Sequence, residues 1–115
     1  MTRSTVSTAK TRRLVVLLVE GSFAFAARCR EAAGRAGAIL RECPAAMAAA
    51  TAADWQPLAL LVTEAVYASH TKEIDLTAKS VGATLLRLTS EEVTQEELDG
   101  RLRAVVAEFE APRSP

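Results

Sequence analysis

The sequence predicts a small α/β domain: a three-layer α/β/α sandwich around a mainly parallel sheet of four to five strands. Three observations support this fold class: continuous apolar runs rich in leucine and valine, helix-like stretches between those runs, and turn residues at the junctions. Strands that are buried on both faces need such continuous apolar runs. The alternation of strands with helices favours a parallel sheet that helices cover on both sides.

The first strand is predicted at residues 14–19, where Leu-Val-Val-Leu-Leu-Val forms a continuous apolar run. A turn at Glu20, Gly21 and Ser22 follows, in which Ser22 is a candidate N-cap. A helix is then expected over residues 23–36, because four small or apolar side chains share one face at helical spacing: Phe25, Cys29, Ala32 and Ala36.

The rest of the chain repeats this alternation. Further strands are predicted at residues 38–40, 58–63 and 84–88, and further helices at residues 45–54, 72–81 and 95–109. Residues 64–71 are expected to form a loop. The last helix has the clearest apolar stripe, at Leu98, Leu102, Val105 and Phe109, and Thr94 and Glu97 have the spacing of a capping box. With right-handed crossovers, this order favours a flavodoxin-like or Rossmann-like sheet.

Composition and charge indicate one domain with short ends. Residues 1–12 are predicted to be a flexible basic tail, residues 13–110 the domain, and residues 111–115 a second flexible tail. Lysine plus arginine and aspartate plus glutamate number 14 each, so the net charge gives no general attraction to nucleic acid or to an anionic membrane. The sequence has no apolar segment of transmembrane length, and a cytoplasmic protein is expected.

A secreted or envelope protein that loses residues 1–27 is an alternative. Basic residues precede the first apolar run, and Phe-Ala-Phe-Ala-Ala follows at residues 23–27. Glu20 interrupts that apolar region, and a carboxylate there costs on the order of 2–3 kcal/mol in a membrane.

Residues that usually carry chemistry are few. Cys29, Cys43 and His70 do not have metal-ligand spacing, and the sequence has no glycine-rich phosphate-binding motif. We therefore predict no catalytic residue, no metal and no cofactor. A disulfide between the two cysteines stays open, and Ser69 beside His70 is a weak candidate for a catalytic pair because an orienting acid is missing.

Two chemical alternatives remain. Glu20, Glu42 and Glu64 each lie near the predicted end of a strand, where open α/β sheets place ligands, and three carboxylates can hold a metal. Cys43 precedes Pro44 at a possible helix N-terminus, where a thiol can have a lowered pKa.

Three stretches, residues 57–63, 67–69 and 79–83, contain a strand that ends in a hydroxyl residue and a helix that ends in a Gly-Ala pair. Together with Leu-Leu-Val-Glu at residues 17–20, they resemble bacterial response-regulator receiver domains. Receivers use clustered carboxylates and Mg²⁺ to accept a phosphoryl group. Compared with that pattern, the chain lacks one strand-helix unit.

The acidic positions of a receiver are only partly matched. Gly21 stands where a second acid is expected after Glu20, and Glu42 is the nearest residue to the expected phospho-accepting aspartate. Thr63 matches the switch hydroxyl, whereas Thr89 stands where a lysine is expected. The resemblance therefore implies a pseudo-receiver with a degenerate acidic and switch pocket at Glu20, Glu42, Thr63 and Thr89, without phosphorelay chemistry.

The function implied by this resemblance is non-catalytic signalling through protein–protein contact. Receivers commonly dock partners or dimerise through their last two helices and last strand. The corresponding polar residues here are Lys79, Arg87, Arg101 and Arg103. A protein partner is expected, and a homodimer is one form of such contact. The alternative is a flavodoxin-like domain with a ligand-binding or enzymatic site at the C-terminal ends of its strands.

Overall fold

A computed structural model of the protein describes residues 14–110, and the expected tails at 1–12 and 111–115 lie outside that range. The described chain forms a four-stranded, all-parallel sheet in the order β2-β1-β3-β4. Its strands are β1 (Val15–Val19), β2 (Ile39–Cys43), β3 (Ala59–Thr63) and β4 (Thr84–Leu88). The parallel sheet confirms the α/β class that the apolar runs predict.

Helices follow the strands and cover both faces of the sheet. They are α1 (Phe23–Arg35), α2 (Ala48–Trp55), α3 (Glu64–Ser69), α4 (Thr71–Val81) and α5 (Gln95–Glu110), and a 3-10 turn (Ala45–Met47) precedes α2. One hydrophobic cluster joins α1 and α5 to the sheet, and a second joins α2 and α4 to its other face. The architecture is therefore a three-layer, flavodoxin-like sandwich.

The two central strands account for the continuous apolar runs. All five side chains of β1 and all five of β3 are buried, because each strand has neighbours on both sides and helices on both faces. Leu17 of β1 pairs with Leu60 of β3, and both are fully buried. Burial of one leucine side chain contributes about 2 kcal/mol. A chain without residues 1–27 would lack the central strand β1.

Residues 64–71 are mostly helical, so the loop predicted there is wrong. The Thr63 hydroxyl caps α3 by accepting a hydrogen bond from the Val66 amide at 3.4 Å. Glu64 lies in the first turn, where a carboxylate interacts favourably with the helix macrodipole. No residue of α3 is fully buried, so the segment has no apolar periodicity from which a helix can be recognised.

Two other boundaries differ from the prediction. β2 continues to Cys43, beyond the predicted residues 38–40, because it pairs with β1 along five residues. The alanine-rich helix begins only at Ala48, because the Met47 amide donates to the Pro44 carbonyl at 2.9 Å in the preceding 3-10 turn.

The last helix is confirmed, with one change in its buried stripe. The Glu97 amide donates to the Thr94 hydroxyl at 3.0 Å, and the apolar side chains Leu98, Leu102, Val105 and Val106 are buried. Phe109, predicted to be part of that stripe, is 43% exposed. A helix of this length extends roughly 24 Å, whereas a five-residue strand extends about 17 Å. Phe109 therefore lies beyond the core. No helix within residues 14–110 could span a membrane.

Candidate functional site

The strand order determines where a ligand would meet this sheet. β1 lies between β2 and β3, so the chain leaves β1 toward one edge of the sheet and leaves β3 toward the other. In open α/β sheets, ligands bind outside the carboxyl ends of the strands at such a switch point. The candidate site is therefore built from the residues that follow β1, β2 and β3.

Glu20 occupies the switch point in a left-handed backbone conformation with φ of 58°. For a residue other than glycine, this conformation costs about 1–2 kcal/mol. Two hydrogen bonds hold it: the Glu20 amide donates to the Cys43 carbonyl at 2.9 Å, and Oε2 accepts from the Ala45 amide at 2.7 Å. These bonds fix the carboxylate at the centre of the carboxyl edge of the sheet.

Two depressions meet at Glu20. The first has a volume of about 380 Å³ and is lined by Glu20, Gly21, Glu42, Cys43 and Pro44. The second has a volume of about 310 Å³ and is lined by Glu20, Ala65, Val66, Ser69 and His70. Because they share Glu20, we treat them as one carboxyl-edge groove. The distance from β2 across β1 to β3 is two strand spacings, roughly 10 Å, which is the length of three extended residues.

The three glutamates that were candidates for a metal site have separate partners. Glu42 pairs with Arg30, and Glu64 accepts two hydrogen bonds from Arg87, at 2.8 and 3.1 Å. The hydrogen bond from Arg87 lowers the pKa of Glu64. Across residues 14–110, no three metal-ligating side chains come together. The carboxylates therefore lie along the edge of the sheet as individual groups.

The predicted acidic and switch pocket is also not assembled. Glu42 lies on β2 and Thr89 follows β4, and these are the two edge strands of the described sheet. Three strand spacings separate them, which amount to roughly 14 Å. Thr63 is buried and its hydroxyl caps α3. Of the four predicted residues, Glu20 and Glu42 alone line the same depression.

The loop between β4 and α5 joins the site through contacts that the sequence did not reveal. The Glu91 carboxylate accepts from the Ser22 amide at 3.1 Å and from the Ser22 hydroxyl at 2.6 Å. Arg28 donates to the backbone carbonyl of Glu91 at 2.8 Å and to that of Val93. These polar contacts join residues more than 60 positions apart, and no local sequence pattern indicates them.

The two cysteines are buried and free, so neither the disulfide nor the reactive thiol left open above is found. Cys29 lies on the buried face of α1, and Cys43 packs on the opposite face of the sheet. Burial raises the pKa of the Cys29 thiol to about 12. Burial likewise raises the pKa of Cys43, which is the opposite of the lowered value that its place before Pro44 suggested.

The four residues of the predicted interaction face lie on α4, β4 and α5. Arg87 stacks over the Tyr67 ring, 4.1 Å from its centroid, while it pairs with Glu64. Arg101 donates to the backbone carbonyl of Arg87 at 3.4 Å. Lys79 and Arg103 are exposed on α4 and α5. Arg87 and Arg101 therefore already make contacts within the domain.

Two large exposed apolar side chains follow residues of the groove lining closely along the chain. Phe23, the first residue of α1, is 90% exposed, and Met47, in the turn before α2, is 51% exposed. Phe23 lies on the connection after β1 and Met47 on the connection after β2, and the first depression lies between those connections. Apolar periodicity does not identify either residue, because it indicates which side chains are apolar and not which of them the fold leaves exposed.

No protein-family model and no curated protein matches the chain. Its structure is similar to the lactose-specific IIB component domain of the phosphoenolpyruvate:carbohydrate phosphotransferase system from Streptococcus pneumoniae, with a TM-score of 0.56 and 13% sequence identity. The similarity covers 84% of this chain and 94% of that chain. At this identity, the comparison shows the fold alone.

The resemblance to response-regulator receivers is wrong, and with it the classification as a response regulator in signal transduction. The structural similarity is to a phosphotransferase-system IIB domain, and no family model indicates a receiver. The matching residues have a simpler explanation. Thr63 caps α3, and Gly82 ends α4 in a left-handed conformation with φ of 69°. Any parallel α/β domain can use these caps.

Proposed function

We propose that this protein is a non-catalytic protein-binding domain whose partner docks in the carboxyl-edge groove. The observation that carries the proposal is the 90% exposure of Phe23, which follows Gly21 of the groove lining by two residues. Aromatic side chains are enriched among the residues that dominate protein interfaces. Covering this ring with a partner would contribute about 2 kcal/mol.

The composition of the groove also suits a peptide segment. Met47 provides an exposed apolar side chain on the connection after β2. Ala65 and Val66 provide an apolar wall in the second depression. Glu20 lies between these apolar regions, so the groove combines hydrophobic contact with one central charge. Binding sites lined by apolar side chains with a few placed polar groups have this composition.

The environments of the cysteine thiols and serine hydroxyls support a role without covalent chemistry. A nucleophile needs a lowered pKa or an adjacent base, whereas burial raises the pKa of both cysteines. The Ser22 hydroxyl is held by the Glu91 carboxylate. Ser69 and His70 line the second depression, and the described contacts include no hydrogen bond between them.

Phosphoryl transfer is the chemistry to exclude, since the similar solved structure belongs to a phosphotransferase system. Intact-mass measurement after incubation with acetyl phosphate and Mg²⁺ tests it. We expect an unchanged mass. A gain of one phosphoryl group that disappears in the His70→Ala or Cys43→Ala variant would refute the non-catalytic part of the proposal.

Docking is tested by a photoreactive phenylalanine analogue introduced at Phe23 in cells that produce the protein. We expect a discrete crosslinked protein, a partner of the cytoplasm or a second copy of the chain, whose yield falls in the Met47→Ser background. The matched control places the analogue at Leu76, which is 65% exposed on α4 and does not line the groove. Equal crosslinking at both positions, or stronger crosslinking from a third analogue placed at Arg103 on α5, would refute docking in the groove.

A further inference from the structure

We infer that the partner segment in the carboxyl-edge groove carries a lysine or arginine with apolar side chains on either side of it. This inference rests on the proposed docking function and adds the chemistry of the occupant. Its basis is the charge that the fold leaves at the centre of the groove, together with the apolar surfaces at its ends.

Glu20 carries that charge. Its carboxylate accepts one hydrogen bond, from the Ala45 amide at 2.7 Å. The ion pairs found in residues 14–110 neutralise Glu42 with Arg30 and Glu64 with Arg87, and they do not include Glu20. Glu20 is also solvent-exposed. A cationic side chain is therefore the group that complements the middle of the groove.

The Phe23 side of the groove is acidic as well. Glu91 is held against Ser22, the residue before Phe23, and Glu92 is exposed next to it. Arg28 lies close to Glu91 and offsets part of its charge, because it donates to the Glu91 backbone carbonyl. The carboxylates of Glu20 and Glu92 remain without an ion pair in the described part of the chain, so an acidic occupant would be repelled.

The dimensions of the groove fit an extended segment. In an extended chain, side chains two positions apart lie on the same face, about 6.6 Å from each other. A cation placed over Glu20 would therefore bring the side chains two positions before and after it toward the ends of the groove. Each end offers apolar surface, at Pro44 beside the Arg30–Glu42 ion pair in one depression and at Ala65 and Val66 in the other.

The test uses three blocked peptides: acetyl-Leu-Gly-Lys-Gly-Leu-amide and its analogues with norleucine or glutamate at the centre. Each peptide is titrated into the ¹⁵N-labelled full chain, and backbone amide shifts are followed by NMR. We expect the lysine peptide to shift the amides of Gly21, Ala45 and Val66. The norleucine peptide should bind about threefold more weakly, because the ion pair that it loses is with an exposed carboxylate.

The variant Glu20→Gln keeps an acceptor for the Ala45 amide while it removes the charge, so it should bind the lysine and norleucine peptides equally. Glu73→Gln removes an exposed carboxylate from α4, outside the groove lining, and should keep the preference for the lysine peptide. Groove binding that is equally strong for the glutamate peptide would overturn the inference and leave docking intact. Absence of groove shifts with every peptide would also overturn it, and the crosslinking at Phe23 would then decide the docking function separately.

Discussion

Gly21 packs so closely against the core that an added methyl group should destabilise the whole domain. A Cβ atom built at Gly21 would lie 2.6 Å from Leu18 Cδ2 and 3.1 Å from Leu18 Cγ. Leu18 is 1% exposed in the core cluster, so its side chain has no open space to move into. Overpacking of this kind costs about 1–3 kcal/mol, and we expect Gly21→Ala to lose about 2 kcal/mol.

The matched control is Gly100→Ala in the middle of α5, where an added Cβ meets nothing within 4 Å. Alanine should stabilise an exposed helix there by about 0.5–1 kcal/mol. Urea unfolding measures both free energies, which should differ by about 2–3 kcal/mol. If Gly21→Ala is as stable as the unmodified chain, the turn after β1 does not pack on Leu18, and the placement of Glu20 and Phe23 that depends on that turn is wrong.

The buried thiol, the β4–α5 loop and the cap of α3 give three more tests. Burial raises the pKa of Cys29 from 9.0 to about 12, so its contribution to stability is complete below pH 9 and is lost toward pH 12. Urea unfolding should show a fall on the order of 1 kcal/mol per pH unit in that window, and an equal fall in Cys29→Ala would contradict this. Arg28→Lys should cost about 1–3 kcal/mol and speed hydrogen exchange in residues 89–94; unchanged exchange would show that Arg28 does not hold the loop. Thr63→Val should cost about 1 kcal/mol through the lost cap, and a neutral result in the same unfolding assay would argue against that cap.

The sequence was most informative where burial alone decides structure. β1 and β3 are recognisable because every side chain in them except that of Thr63 is apolar, a direct consequence of their central position in the sheet. α3 was not recognisable, because six residues with only two partly buried apolar side chains, Val66 and Tyr67, form no apolar stripe, and a cap with a first-turn carboxylate begins the helix. A helix cap depends on local backbone geometry, which the apolar periodicity of a sequence does not indicate.

The site was only partly predictable for a related reason. Glu20 could be identified because it follows a central strand, and position at a strand end is readable from sequence. The contacts of Glu91 with Ser22 and of Arg28 with the β4–α5 loop could not be identified, because polar pairs distant in sequence have no spacing rule. The four predicted pocket residues were placed together only because the sequence resembles response-regulator receivers. The strand order instead places Glu42 and Thr89 at opposite edges of the sheet.

The interaction face predicted on α4, β4 and α5 stays a prediction that competes with the groove. Arg87 is held by Glu64 and Tyr67, so a partner there would have to replace contacts that already exist. Phe23, at 90% exposure, is more exposed than Leu76 of α4, at 65%. This difference is the reason for placing docking at the carboxyl edge.

Hydrogen exchange of the protein bound to its crosslink-identified partner tests the central claim most directly. Docking in the groove predicts slower amide exchange in residues 20–23, 44–47 and 64–70, with unchanged exchange in residues 79–87 and 99–104. Protection confined to the second set of residues would contradict the account, because it would place the partner on α4, β4 and α5.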